Sequence, residues 1–100
     1  MTHETPKGVM DDLTDVLPAL GEIGYVPIAS QYLPLSFGGD YFVDFTGPRG
    51  HSFRLIYDRS QYIVDGQRSE LEAAGLWRAF DDRAEFTTTL LDWLQSRKAK

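Results

Sequence analysis

Apolar and polar side chains interleave with a period of two from Tyr41 to Asp65, and no other feature of this sequence restricts the fold so tightly. Tyr41, Val43 and Phe45 interleave with Phe42, Asp44 and Thr46; Phe53, Leu55 and Tyr57 interleave with Ser52, Arg54 and Ile56. That spacing predicts half-buried antiparallel strands. The intervening Gly47-Pro48-Arg49-Gly50 suits a type I turn with Pro48 at its second position and Gly50 left-handed behind it. A three-residue loop of this kind sets the register. It places Tyr41/Tyr57, Val43/Leu55 and Phe45/Phe53 on one face, and Phe42/Ile56, Asp44/Arg54 and Thr46/Ser52 on the other.

The flanking segments read as follows. Thr5 to Gly24 predicts a helix, with Pro6 at its first position and Val9, Leu13, Val16, Leu17 and Leu20 at helical spacing; Asp11 and Asp12 offer an alternative start. Pro18 should kink or divide it. Tyr25 to Tyr32 predicts a strand that Pro27 confines to a sheet edge. Pro34 to Asp40 predicts a loop, and its Gly38-Gly39 is not followed by the Lys-Ser/Thr and helix of a phosphate cradle. A fourth strand is expected from about Ser60 to Asp65 after a tight Asp58-Arg59 connection, with a register open by one residue. Ser69 and Glu72 form a capping-box pattern opening a second helix, with Leu71, Ala74, Trp77 and Phe80 on one face. Asp82 and Glu85 open the last helix, whose face is Phe86, Leu90, Trp93, Leu94 and Arg97. The expected fold is α+β: an N-terminal helix, a four-stranded antiparallel meander and two C-terminal helices packed on the sheet. One domain over 1–100 is expected, with 1–5 and 97–100 mobile.

The chain carries no cysteine, which removes disulfides, thiolate metal sites and cysteine nucleophiles from consideration. It has no apolar run near the roughly 20 residues that span a bilayer, and Met1-Thr2-His3-Glu4 lacks the order of a secretion signal. The expectation is cytoplasmic residence without membrane contact. A net charge of −5 opposes nucleic-acid binding, which needs clustered Lys and Arg. Residues 1–48 hold seven acids (Glu4, Asp11, Asp12, Asp15, Glu22, Asp40 and Asp44) against Lys7 alone. Such a surface either steers a basic partner or maintains solubility. Asp11, Asp12 and Asp15 can be read as complementing the positive end of the first helix or as a partner site.

Chemistry has few places to sit. Of the two histidines, His3 lies near the terminus and His51 follows the hairpin turn, where an exposed position is expected. Ser52 beside it points to the opposite face, so a nucleophile-base pair does not form. No pair of histidines has helical i, i+4 spacing and no Asp-x-Asp-x-Asp-Gly run occurs, so no metal, no cofactor and no catalytic residue is expected. The strand aromatics could stack RNA bases, but the element order differs from that of the RNA-recognition fold and the acidic balance opposes it. They fit a core better, with Tyr62 and Val64 joining the first face. Phe42, Ile56 and Ile63 instead form an apolar strip among Asp44, Thr46, Ser52, Arg54 and Gln61, the pattern of an interface unless a helix or a second copy covers it. Asp44 and Arg54 can pair across the strands.

The element order and the run Phe53-Arg54-Leu55-Ile56-Tyr57-Asp58-Arg59-Ser60-Gln61 resemble small acidic immunity proteins associated with bacterial toxin systems. The resemblance covers about residues 13–95: a leucine-rich first helix with a central proline, a Phe37-Gly38 loop, alternating strands joined at Asp58-Arg59, and an aromatic-bearing last helix. It implies a non-enzymatic inhibitor that occludes a partner protein, such as a basic toxin domain. The expected partner-binding residues are Asp40, Phe42, Asp44, Arg54 and Ile56, with Asp11, Asp12 and Asp15 as a second acidic set. The alternative is a regulatory or phage-encoded homodimeric accessory protein without a toxin partner.

Overall fold

The computed structural model describes residues 5–33, 35 and 39–98. His3 and most of the expected Pro34 to Asp40 loop, including its Phe37-Gly38, lie outside them. The alternating block forms the centre of an antiparallel meander in sheet order β1-β2-β3-β4. Its strands are β1 (Val26–Leu33), β2 (Asp40–Thr46), β3 (Ser52–Asp58) and β4 (Gln61–Asp65). Tyr41 pairs with Tyr57, Val43 with Leu55 and Phe45 with Phe53, the register the sequence predicts. The loop between them departs from a type I turn: Arg49 at φ 60° and Gly50 at φ 73° are both left-handed. The Gly47 N–H still closes it onto the His51 carbonyl at 2.8 Å, leaving three residues, Pro48–Gly50, at the tip.

The second hairpin turns one residue later than Asp58-Arg59. Asp58 pairs with Gln61, and Arg59 and Ser60 form a two-residue loop with φ of 51° and 69°. Neither residue favours that region, but the Arg59 N–H donates to Asp40 Oδ1 at 3.1 Å, anchoring the turn to β2. β1 is an edge strand, as Pro27 requires. Ile28 is an extra residue in its pairing with β2, so the strand bulges directly after the proline.

The N-terminal segment is two helices, α1 (Lys7–Asp12) and α2 (Val16–Ile23), rather than one kinked at Pro18. The break precedes the proline because Pro18, in the first turn of α2, has no N–H to return to the Thr14 carbonyl. The Thr14 hydroxyl donates instead to the Met10 and Asp11 carbonyls at the end of α1. Gly24 closes α2 at φ 111°, a left-handed cap that lets the Tyr25 N–H reach the Leu20 carbonyl at 2.9 Å.

After β4 come α3 (Arg68–Ala73) and α4 (Arg83–Lys98). The capping box at Ser69 is not made: Gln67 occupies the cap, and Glu72 pairs with Arg68 one turn back. Gly75, at φ 77°, ends α3, and Leu76 rather than Trp77 enters the core, with Trp77 45% exposed. The chain then runs back along β4, where Phe80 and Tyr62 exchange both backbone hydrogen bonds. Asp82 does cap α4, accepting from the Ala84 N–H at 3.0 Å, whereas Glu85 turns to Arg78. α4 continues through Lys98, and Arg97 is bonded to Glu70. All four helices contribute to one core with the first sheet face. Val9, Leu13, Val16, Leu20, Leu71, Phe86, Leu90 and Leu94 pack there with Tyr41, Val43, Phe45, Phe53, Leu55 and Val64. Burial of each larger apolar side chain contributes about 1.5–3 kcal/mol.

Candidate functional site

With the helices on one side, the side chains of opposite parity form the other face of the sheet. Register brings Gln31, Phe42, Ile56 and Ile63 into one row across all four strands. The neighbouring row is Ala29, Asp44, Arg54 and Asp65. Among the described residues no helix lines this surface. Its hollows are bounded by strand side chains, by Arg59 of the second hairpin turn and by the 77–79 segment: one of about 390 Å³ over Leu33, Phe42 and Ile56, and one of about 310 Å³ over Ile56, Ile63 and Trp77.

Arg54 is the best-defined polar group on this face. Its Nε donates to Asp44 Oδ1 at 2.7 Å and its Nη2 to Asp44 Oδ2 at 3.1 Å, a two-pronged pair, while its guanidinium carbon sits 4.0 Å from the centroid of Phe42. The hydrogen bonds to Asp44 hold the guanidinium above its ordinary pKa. Arg54, Asp44 and Phe42 therefore form one pre-ordered unit, with little rotamer entropy left to lose on docking. The row contains two carboxylates, Asp44 and Asp65, for a single guanidinium. On the far side of Ile56 lies Asp58. Among the described residues, Asp58 and Asp65 make no ion pair; Asp58 shares the rim of the first hollow with Arg59, and Asp65 that of the second with Arg78, whose guanidinium is held by Glu85. Their parity with Ile56 and Ile63 makes both readable from the sequence as members of this face, although they carry no motif.

The other acidic candidates have internal work. Asp40 is buried, and its carboxylate holds the Arg59 N–H. Asp12 accepts from the Tyr41 hydroxyl at 2.5 Å and the Tyr62 hydroxyl at 2.9 Å, fastening α1 to β2 and β4. Burial, and then this carboxylate, raise the pKa of both tyrosines, so both remain donors. Asp15 is paired with Arg83 at 2.5 Å, and that guanidinium also donates to the Asp12 carbonyl. Nor do these aspartates complement the start of the first helix: Asp11 and Asp12 are the last residues of α1. Of the three, only Asp11 presents an exposed carboxylate without a side-chain partner among the described residues. The structure thus brings Phe42, Asp44, Arg54 and Ile56 together and leaves Asp11, Asp12 and Asp15 on the helical side.

His51 is not the exposed hairpin residue expected. Its side chain is 14% exposed, Nδ1 is 2.7 Å from the Tyr25 hydroxyl, and its ring meets Trp93 edge to face at 5.3 Å. Nε2 faces Glu70 Oε1 at 3.7 Å, too long for a hydrogen bond. Burial and the Arg97 charge lower the imidazole pKa against the pull of Glu70, so at neutral pH this contact is not an ion pair. Glu70 instead accepts from Trp93 Nε1 at 3.1 Å and from Arg97. A hollow of about 660 Å³ borders Glu70, Trp93 and Arg97, but His51 does not line it. Ser52 turns its hydroxyl to the Gly50 carbonyl, so no nucleophile meets the imidazole. The cluster fastens the hairpin tip to α3 and α4. Its members are too far apart in sequence for any spacing to announce them.

No group of three or more His, Asp or Glu able to hold a metal occurs among the described residues, and none of their helices is long and apolar enough to cross a membrane. The chain has no significant match among family models, curated proteins or solved structures.

Proposed function

We propose that this chain is a non-enzymatic protein-binding domain of immunity type, which occludes a partner protein through the second face of its sheet. The observation that carries the reading is the uncovered row Phe42, Ile56 and Ile63, edged by the rigid Asp44–Arg54 pair. An apolar centre with a polar, pre-ordered rim is the anatomy of a docking surface. Asp58 and Asp65, which make no ion pair among the described residues, favour a basic partner, in keeping with a toxin domain that acts on nucleic acid. The homodimeric alternative draws on a different observation: among the described residues β1 pairs with a strand on its β2 side alone, and Val26, Ile28 and Leu33 are about half exposed, although Pro27 and the bulge shorten the stretch that could pair with a second copy.

The test compares capture of proteins from the native host by the wild type, Phe42→Ala and Ile56→Asp, with light scattering to detect self-association. A specific partner should be lost on both variants, by roughly 30-fold or more in affinity for a central anchor. Urea unfolding should remain cooperative. Equal capture by the wild type and both variants removes this face as the site.

A further inference from the structure

We infer that the occupant of the open sheet face is an amphipathic helix of the partner, with an apolar stripe flanked on both sides by lysine or arginine. This deepens the docking reading and rests on it. Ile56 stands as a ridge between the two hollows, with Phe42 and Leu33 beyond it on one side and Ile63 and Trp77 on the other. One hollow centres near β2 and the other near β4, so with strands about 4.8 Å apart two apolar knobs must sit about 10 Å apart. A helix presents residues i and i+7 on one face with a rise of about 10.5 Å. An extended segment offers same-face side chains about 6.7 or 13 Å apart and straddles the ridge poorly.

Charge fixes the flanks. Asp58 lies two residues along β3 from Ile56, and Asp65 two residues along β4 from Ile63 in the opposite direction, each displaced about 7 Å from the apolar row. Together they bracket about 13 Å, wide enough to seat the roughly 10–12 Å of a helix with its side chains. Cations on both borders of the stripe would therefore each meet a carboxylate.

The probes are three synthetic 15-residue peptides: one with leucine at helical spacing and lysine on both flanks, one with glutamine replacing the lysines, and one of the first composition with strand alternation. Binding is followed by fluorescence anisotropy at low salt and mapped on backbone amide chemical shifts. The helical lysine peptide should bind most tightly and shift Phe42, Ile56, Asp58, Ile63 and Asp65. The double change Asp58→Asn/Asp65→Asn should weaken it about 5-fold, and added salt should abolish that difference. Equal binding of the strand-patterned peptide, shifts on the helical side, an unaffected double variant, or self-association abolished by Ile56→Asp each overturns the inference. Should capture of the natural partner depend on Ile56 while the peptides fail, the docking face stands and the helical occupant falls. If neither depends on Ile56, both fall.

Discussion

Replacing Asp12 with alanine removes one acceptor from two buried donors. The Tyr41 and Tyr62 hydroxyls both end on Asp12 Oδ2, and the two tyrosines are 4% and 6% exposed. A hydrogen bond to a charged group contributes about 1.5–3 kcal/mol, and a buried hydroxyl left without a partner forfeits its hydration as well. Water can reach the half-buried Asp12 position and recover part of this, which sets the expected loss for Asp12→Ala at about 4 kcal/mol. For a domain of this size that corresponds to about 20 °C in Tm. Asp12→Asn keeps an acceptor oxygen but no charge and should lose about half as much. Arg83 remains satisfied, because it bonds the carbonyl of residue 12 and the Asp15 carboxylate. The diagnostic is the cycle with Tyr41→Phe and Tyr62→Phe, read by urea unfolding. Once the hydroxyls are gone, removing the carboxylate should cost about 1 kcal/mol or less, because no donor is stranded. A loss below about 1 kcal/mol in the wild-type background, or additive changes around the cycle, would refute this account of how α1 is held to the sheet.

Two further perturbations test the packing around the hairpin tip. His51 has a folded-state pKa below its ordinary 6.5, so the unfolded chain takes up the proton first as pH falls. Its contribution to stability is full above about pH 6.5 and is lost as pH drops through the folded-state value; His51→Gln should flatten the stability profile between pH 7 and 5.5, and an unchanged slope would exclude His51 as its source. An alanine Cβ at Gly47 would lie 2.4 Å from two carbons of the Tyr25 ring, so Gly47→Ala should cost about 1–3 kcal/mol and pull the Tyr25 hydroxyl off His51. Gly21, inside α2 with nothing within 4 Å of the same position, should gain up to about 1 kcal/mol as alanine; urea unfolding of both variants checks the contrast.

The strands were legible because their signal is local. Period-2 alternation assigns every side chain to a face once one pair is registered, and Gly47 to Gly50 supplied that pair. What escaped were outcomes decided by tertiary contacts. The position of the N-terminal break depended on where the Pro18 ring could be accommodated, and the Arg59-Ser60 turn depended on the hydrogen bond that the Arg59 N–H donates to Asp40, nineteen residues away. Trp77 has the helical spacing of a core residue, but Gly75 ends α3 first and hands that place to Leu76. The same limit applies to charge. Asp12, Asp15 and Asp40 look like surface acids in a linear reading, and each is assigned by a partner distant in the chain: Tyr41 and Tyr62, Arg83, and the Arg59 N–H.

That redistribution sharpens the functional argument. The carboxylates absorbed by the fold lie at the α1–α2 junction or under the second hairpin, where Asp12 and Asp40 accept from part-buried donors and Asp15 is engaged by Arg83. Asp58 and Asp65, facing outward beside Ile56 and Ile63, make no ion pair among the described residues. Separate sets of residues thus hold the fold and furnish its exposed sheet face, since Phe42, Ile56 and Ile63 are absent from the core cluster. The apolar row and the two-pronged ion pair held in fixed geometry on that face are what the docking proposal rests on. The separation also makes the docking proposal accessible to mutation, because changes there can alter binding while the helical side continues to hold the domain together.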